Sequence, residues 1–179
     1  MTTEVFSLQH GRQITVRDMR PEDAELLVNL FYHLSPETLY KRFHAVLDNL
    51  PEQRVRQMAT KLALIDPQLQ VALIALHNGH AIGVARLHRI PGTTQAESAI
   101  VIQDDYHREG LGTHLLKLLR ERALGAGITH LVAMVQAQNH PILHLIHHSG
   151  LKSRWRVEQG ETCMVVDIRT SGIPKVISA

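Results

Sequence analysis

Val101-Ile102-Gln103-Asp104-Asp105-Tyr106-His107-Arg108-Glu109-Gly110-Leu111-Gly112-Thr113 passes from an apolar extended run, through a polar loop, into the start of a helix. Such a junction leaves several backbone amides unpartnered at the positive end of the helix dipole, which is a ready seat for a pyrophosphate. Gly110 and Gly112 stand where a Cβ would keep a phosphate away from the backbone. A G-x-G alone also fits a tight turn before any helix. A dinucleotide-binding fold is disfavoured, because His114 and Leu115 follow where a third glycine would be needed and the chain opens with hairpins instead of a βαβ unit.

Outward from this loop the pattern is of alternating short elements. Residues 96–102 form the strand that feeds it, and residues 71–76 and 81–88 flank Asn78-Gly79, a strong signal for an antiparallel hairpin. Residues 6–19 read as another hairpin, turning at His10-Gly11. Arg20-Pro21-Glu22-Asp23 and Ser35-Pro36-Glu37-Thr38 are helix starts, with proline in the first turn and acids where the dipole favours them. Leu26, Leu27, Leu30 and Phe31 keep helical spacing after the first, and Pro51-Glu52 opens a third. Downstream come a helix over 110–125, a strand over 129–135, a helix over 141–149, and strands over 151–157 and 162–168. This order predicts an α+β fold in one domain spanning residues 1–170, with a loose tail over 171–179.

Composition narrows the function classes. The 179 residues are 44% apolar and 20% charged, as in ordinary globular proteins, and the net charge of +2 is scattered. There is no basic block to neutralise a run of phosphates, so nucleic acid is not an expected partner. No stretch approaches the ~20 apolar residues of a membrane span, so no membrane association is expected and the cytoplasm is the expected location. The single cysteine, Cys163, lies in an apolar run and reads as a buried strand thiol. His140, His144 and His147 share a helical face opposite Ile142, Leu145 and Ile146, so the histidines should meet solvent, and no metal site is expected.

The loop resembles the acyl-CoA signature of GNAT acetyltransferases, Q/R-x-x-G-x-G/A, with Gly110 and Gly112 at both small positions and His107 in place of Gln or Arg. Val16-Arg17-Asp18-Met19-Arg20-Pro21-Glu22-Asp23 and Leu34-Ser35-Pro36-Glu37-Thr38-Leu39-Tyr40-Lys41-Arg42-Phe43 are similar to the opening segments of the GNAT domains of bacterial protein lysine acetyltransferases. Ala96-Glu97-Ser98-Ala99-Ile100-Val101-Ile102 resembles that group's strand before the loop. Asn139-His140-Pro141-Ile142 and Ser149-Gly150-Leu151 resemble its closing elements, with Ile and Leu where Met and Phe are usual.

The resemblance implies a mixed, mostly antiparallel sheet of about seven strands, splayed at the acyl-CoA site and flanked by about four helices. It implies acetyl-CoA as cosubstrate, bound by Ile100, Val101 and Ile102 on a bulged strand, by His107, Arg108, Glu109, Gly110, Leu111, Gly112 and Thr113 in the loop, and by Asn139. Asn139 equally suits an N-cap before Pro141. Glu97 is the implied general base, on a strand start where partial burial would tune it. The tyrosine that many relatives use as general acid is Ile146 here, and Tyr106 is expected to pack beside the loop. Asp104 and Asp105 could face a cationic acceptor, though acids before a helix are ordinary.

The expected activity is transfer of an acetyl group to a primary amine, with a protein lysine favoured, by a monomer or homodimer. The alternatives are acetylation of a small amine, a non-catalytic acyl-CoA-binding module, and a histidine-rich metal protein.

Overall fold

The computed structural model describes residues 3–47, 49–136, 139–158 and 161–169. The chain order is β1 (Thr3–Ser7), β2 (Gln13–Asp18), α1 (Ala24–Tyr32), α2 (Pro36–Phe43), α3 (Glu52–Ala63), β3 (Gln70–His77), β4 (His80–Arg89), β5 (Gln95–Ile102), α4 (Leu111–Gly125), β6 (His130–Met134), α5 (His140–Ser149), β7 (Lys152–Glu158) and β8 (Glu161–Asp167). Single 3₁₀ turns at Pro21–Asp23 and Asp104–Tyr106 precede α1 and α4.

All eight strands form one sheet in the order β1-β2-β3-β4-β5-β6-β8-β7. Every neighbouring pair is antiparallel except β5 and β6. The described residues thus hold eight strands and five helices, the elements read along the chain and one more of each than the rounded numbers the resemblance implies. The N-terminal hairpin contributes two full strands, and Pro51 starts a third helix before the main sheet.

Local chemistry explains the joints. Asn78 and Gly79 both take positive φ, 51° and 81°, as a two-residue hairpin turn requires. Ser35 caps α2 by accepting the Thr38 amide at 3.2 Å. The start at Pro21 differs from expectation: it makes one 3₁₀ turn, and α1 begins at Ala24. Asp23 explains this, because its buried carboxylate turns back to accept two 2.7 Å bonds from Arg17 on β2 and one of 2.8 Å from the Arg20 amide.

Period-two alternation in β3 and β4 feeds two cores. Leu73, Ala75, Ile82, Ala85 and Leu87 pack with Leu111, Leu115 and Leu119 of α4 on one face. Ala72, Ile74, Ala81 and Val84 pack with Val28, Leu30, Val55 and Ala59 of α1 and α3 on the other. The tail over 171–179 lies outside the described residues.

Candidate active site

β5 pairs with β4 without a break from Gly83↔Ile102 to Arg89↔Ala96. It pairs with β6 only over Gln95↔His130, Ala96↔Leu131 and Glu97↔Val132. Beyond Glu97 the two strands part, and a last weak contact joins Ser98 Oγ to the Val132 carbonyl at 3.4 Å. The splay expected here is therefore present. The bulge is not: β5 stays in register with β4, and the register shift lies instead between Ala75 and Leu76 of β3. Divergence from β6 alone is enough to free one edge of the 98–102 segment, so no extra residue is needed.

An open cleft of ≈ 1690 Å³ follows this wedge. It exceeds the roughly 300–1,000 Å³ of a typical small-ligand pocket, leaving room for a long donor and an acceptor together. Glu97, Ile100, Val101, Ile102, His107, Arg108, Gly110, Gly112, Thr113 and Asn139 all line it. The strand alternates across the wedge, with Ile100 and Ile102 packed toward α4 and Val101 toward α1 and α3.

Two expected loop contacts point elsewhere. The Leu111 side chain is fully buried in the α4 core. Glu109 is also buried, ion-paired to Arg12 from the β1–β2 connection, so its carboxylate is already committed. Only main-chain atoms at these two positions can face a ligand. His107 likewise turns inward, its Nε2–H donating to the Ile102 carbonyl at 2.8 Å. The substitution at that signature position thus serves to hold the loop against the end of β5.

Gly110 has φ +90° and is the N-cap of α4. The first bond of the helix ladder at this end runs from the His114 amide to the Gly110 carbonyl at 3.1 Å, leaving the amides of Leu111, Gly112 and Thr113 ahead of it. A Cβ on Gly110 would touch no protein atom within 4 Å, so within the protein Gly110→Ala acts through backbone strain. Holding an L-residue in this region costs about 1–2 kcal/mol. The expected outcome is about a tenfold rise in acetyl-CoA KM, read from initial rates, with a smaller change in kcat. An unchanged KM would mean that these amides do not hold the donor.

Asp104 does not face the cleft as a free acid. Its carboxylate accepts from the Ser35 amide at 2.9 Å, the Ser35 hydroxyl at 2.8 Å and the Thr38 hydroxyl at 2.8 Å, beyond the N-terminus of α2. Burial by itself would raise its pKa, but these bonds from Ser35 and Thr38 outweigh burial and hold it below the usual carboxylate range. A depressed folded-state pKa adds stability above the unfolded value of about 3.9, and that stability is lost as pH falls through the folded value. Asp104→Asn should therefore melt below wild type at pH 7, with the gap closing as pH drops below about 4. A gap that persists into acid would mean that packing, not charge, sets the effect.

Asp105 is exposed, and its backbone carbonyl accepts from Arg12 at 2.9 Å. Tyr106 packs beside the loop as expected: its hydroxyl shares a 2.8 Å hydrogen bond with His77 Nδ1, and Arg12 lies 4.2 Å from its ring centroid. Asn139 caps α5, its side chain accepting the Ile142 amide at 3.4 Å. Ile146 is buried in the core with α4, at the position for which the resemblance implies a tyrosine. Cys163 is buried in β8. His140, His144 and His147 are exposed, and His144 stacks on His148 at 3.8 Å.

Glu97 departs from the expected burial. It sits at the wedge as expected, but its side chain is exposed, because β6 leaves β5 at that residue and no neighbour covers it. Sequence reasoning also passed over Arg42 and Arg86, which line the same cleft. The signal for Arg86 was available, since it is the one charged residue within the apolar run 81–87.

A family model described as the acetyltransferase (GNAT) family matches residues 29–151. An acetyltransferase of Pseudomonas aeruginosa is 30% identical over 139 residues, covering 75% of this chain and 73% of the relative. Among solved structures, the GNAT domain of PAT from S. lividans aligns with TM-score 0.79 and 25% identity over 92% of this chain and 96% of that one. The PaiA N-acetyltransferase of Thermoplasma acidophilum, solved with coenzyme A, aligns with TM-score 0.64 and 18% identity over 86% and 98%, a likeness of fold.

Proposed function

The chain belongs to the GNAT family of acetyltransferases, and from that premise we propose that it carries the acetyl group of acetyl-CoA to a primary amine, a protein lysine being the favoured acceptor. The observation that carries this reading is the wedge between β5 and β6, which opens beneath the glycine loop and has Glu97 at its apex. The pyrophosphate sits on the leading amides of α4, and the pantetheine arm runs along the free edge of β5. Backbone amides of 98–102 receive the acyl carbonyl and the oxyanion that develops on it.

Glu97 takes a proton from the acceptor ammonium, directly or through one water, and its exposure gives that proton a path to bulk solvent. The neutral amine then attacks the thioester carbon, and the tetrahedral intermediate collapses with cleavage of the C–S bond. With Ile146 at the usual tyrosine position, the departing thiolate takes its proton from solvent or from the ammonium formed on attack. The lysine preference rests on the resemblance of residues 16–23 and 34–43 to the GNAT domains of bacterial protein lysine acetyltransferases.

The test is release of CoA thiol from acetyl-CoA in the presence of lysine-containing proteins and of small amines. Release that requires a protein acceptor is the expected result. Release with small amines only would move the acceptor class, and acetyl-CoA binding without release from any acceptor would leave a binding module.

A further inference from the structure

On the face of the sheet covered by α1–α3, the register places Val84, Arg86 and His88 of β4 opposite Val101, Ala99 and Glu97 of β5. Arg86 is therefore the diagonal neighbour of Glu97, at a Cα separation of about 7–8 Å. Arg42, from the last turn of α2, comes down over the same place. Both arginines line the active-site cleft, and both also line a small apolar cavity of ≈ 60 Å³ behind it, among Phe31, Phe43, Met58 and Leu62. Arg42 and Arg86 thus belong to the walls of both spaces.

Neither has a carboxylate partner among the described residues. Arg86 donates to the Leu62 carbonyl at 2.5 Å. Arg42 lies 5.0 Å from the centroid of the Phe43 ring. The nearest helix acid, Glu37, is paired with Lys41 instead. Charged side chains partly withdrawn from water are normally paired, so two half-buried arginines that feel each other's charge and have no carboxylate partner are costly. The strain registers on their protonation: burial lowers Arg42, and burial followed by the Arg42 charge pushes Arg86 down to about 10. An anion seated between them would relieve both effects, and guanidinium forks match the two oxygens of a carboxylate.

We propose that Arg42 and Arg86 form a carboxylate subsite for the acceptor, so that the preferred substrate is an amine carrying a carboxylate within about one residue's length of the nitrogen. The inference rests on the amine-acetylation reading and specifies its acceptor. A free amino acid and a lysine with an adjacent acidic side chain present the same chemistry. With the carboxylate held by Arg86 and Arg42, the amine is directed along the strand pair toward Glu97.

Two matched acceptor pairs test this: a lysine peptide with Glu or Gln beside the lysine, and a free amino acid with its amide. Wild type, Arg42→Gln and Arg86→Gln are compared by kcat/KM, with melting temperatures as a folding check. Arg42→Gln, at the rim on α2, serves if Arg86→Gln fails to fold. In parallel, glutarate, which carries carboxylates and no amine, is titrated calorimetrically into each protein.

Wild type should prefer the carboxylate member of at least one pair by on the order of tenfold to a hundredfold, with the ratio falling toward one in either variant. Which pair responds identifies the source. Equal use of both members, or a preference that survives in the variants, overturns the subsite while leaving acetyl transfer standing. Glutarate binding lost in the variants, with no acceptor acetylated, overturns the acetylation reading and keeps the anion site. A preference that follows the donor instead, succinyl-CoA over acetyl-CoA, overturns the acceptor assignment.

Discussion

Glu97→Gln should lower kcat for acetyl transfer by about 10²–10⁴-fold, with acetyl-CoA KM held within about twofold. Glutamine keeps the size and one acceptor oxygen but cannot take a proton at neutral pH. Glu97 lies at the apex of the wedge, on the face shared with His88, Arg86 and Ala99. On the proposed reading the donor's phosphates sit on the leading α4 amides, which are built by a different segment, so donor binding should not follow the substitution. Steady-state rates at saturating acetyl-CoA separate the two effects. Unchanged kcat would move the base elsewhere, and His88, directly opposite in register, is the next titratable group to test.

Arg12→Ala is expected to cost about 2–3 kcal/mol of stability, toward the lower end for a broken buried pair because Arg12 itself is partly exposed. The loss has three parts. Buried Glu109 loses its counter-charge, the Asp105 carbonyl loses a 2.9 Å donor, and the Tyr106 ring loses a cation over its face. For a chain of this size the melting temperature should fall by roughly 5–10 °C. Arg12→Ala combined with Glu109→Gln should recover part of that loss, because glutamine removes the unpaired charge. A melting temperature within about a degree of wild type would make the pair a surface contact of little consequence. Acetyl-CoA KM should rise in the single variant as well, since the loop between Asp105 and Glu109 is what Arg12 fastens.

These two residues illustrate what could be read from the chain alone. Where a feature depends on its immediate neighbours in sequence, it was legible: the Asn78-Gly79 turn, the Ser35 and Asn139 caps, and the glycine loop feeding α4. Side-chain direction was not legible where it depends on a distant partner. Glu109 sits in the loop signature, yet Arg12, 97 positions away, decides that it points inward. Asp104 was one of two acids before a helix, and Ser35 and Thr38, 69 and 66 positions away, tie it to the start of a different helix. The exposure of Glu97 follows from the point at which β6 leaves β5, a tertiary event with no local signature. Arg42 and Arg86 come to line one cavity only when α2 packs on the sheet at β5.

The strand order β6-β8-β7 places the last strand in sequence inside the sheet, while β7, made before it, forms the rim. Among the described residues β6 and β7 are not paired with each other; β8 lies between them, paired with β6 over Cys163–Asp167 and with β7 over Glu161–Asp167. During synthesis, β1 to β5 can zip up in order as each emerges, but one edge of β6 must wait until residue 167 has cleared the ribosome. Until then the nascent chain presents an unpaired apolar edge beside the nearly finished β1–β5 half of the sheet, and it is at that stage that the chain is most open to pairing with the wrong strand.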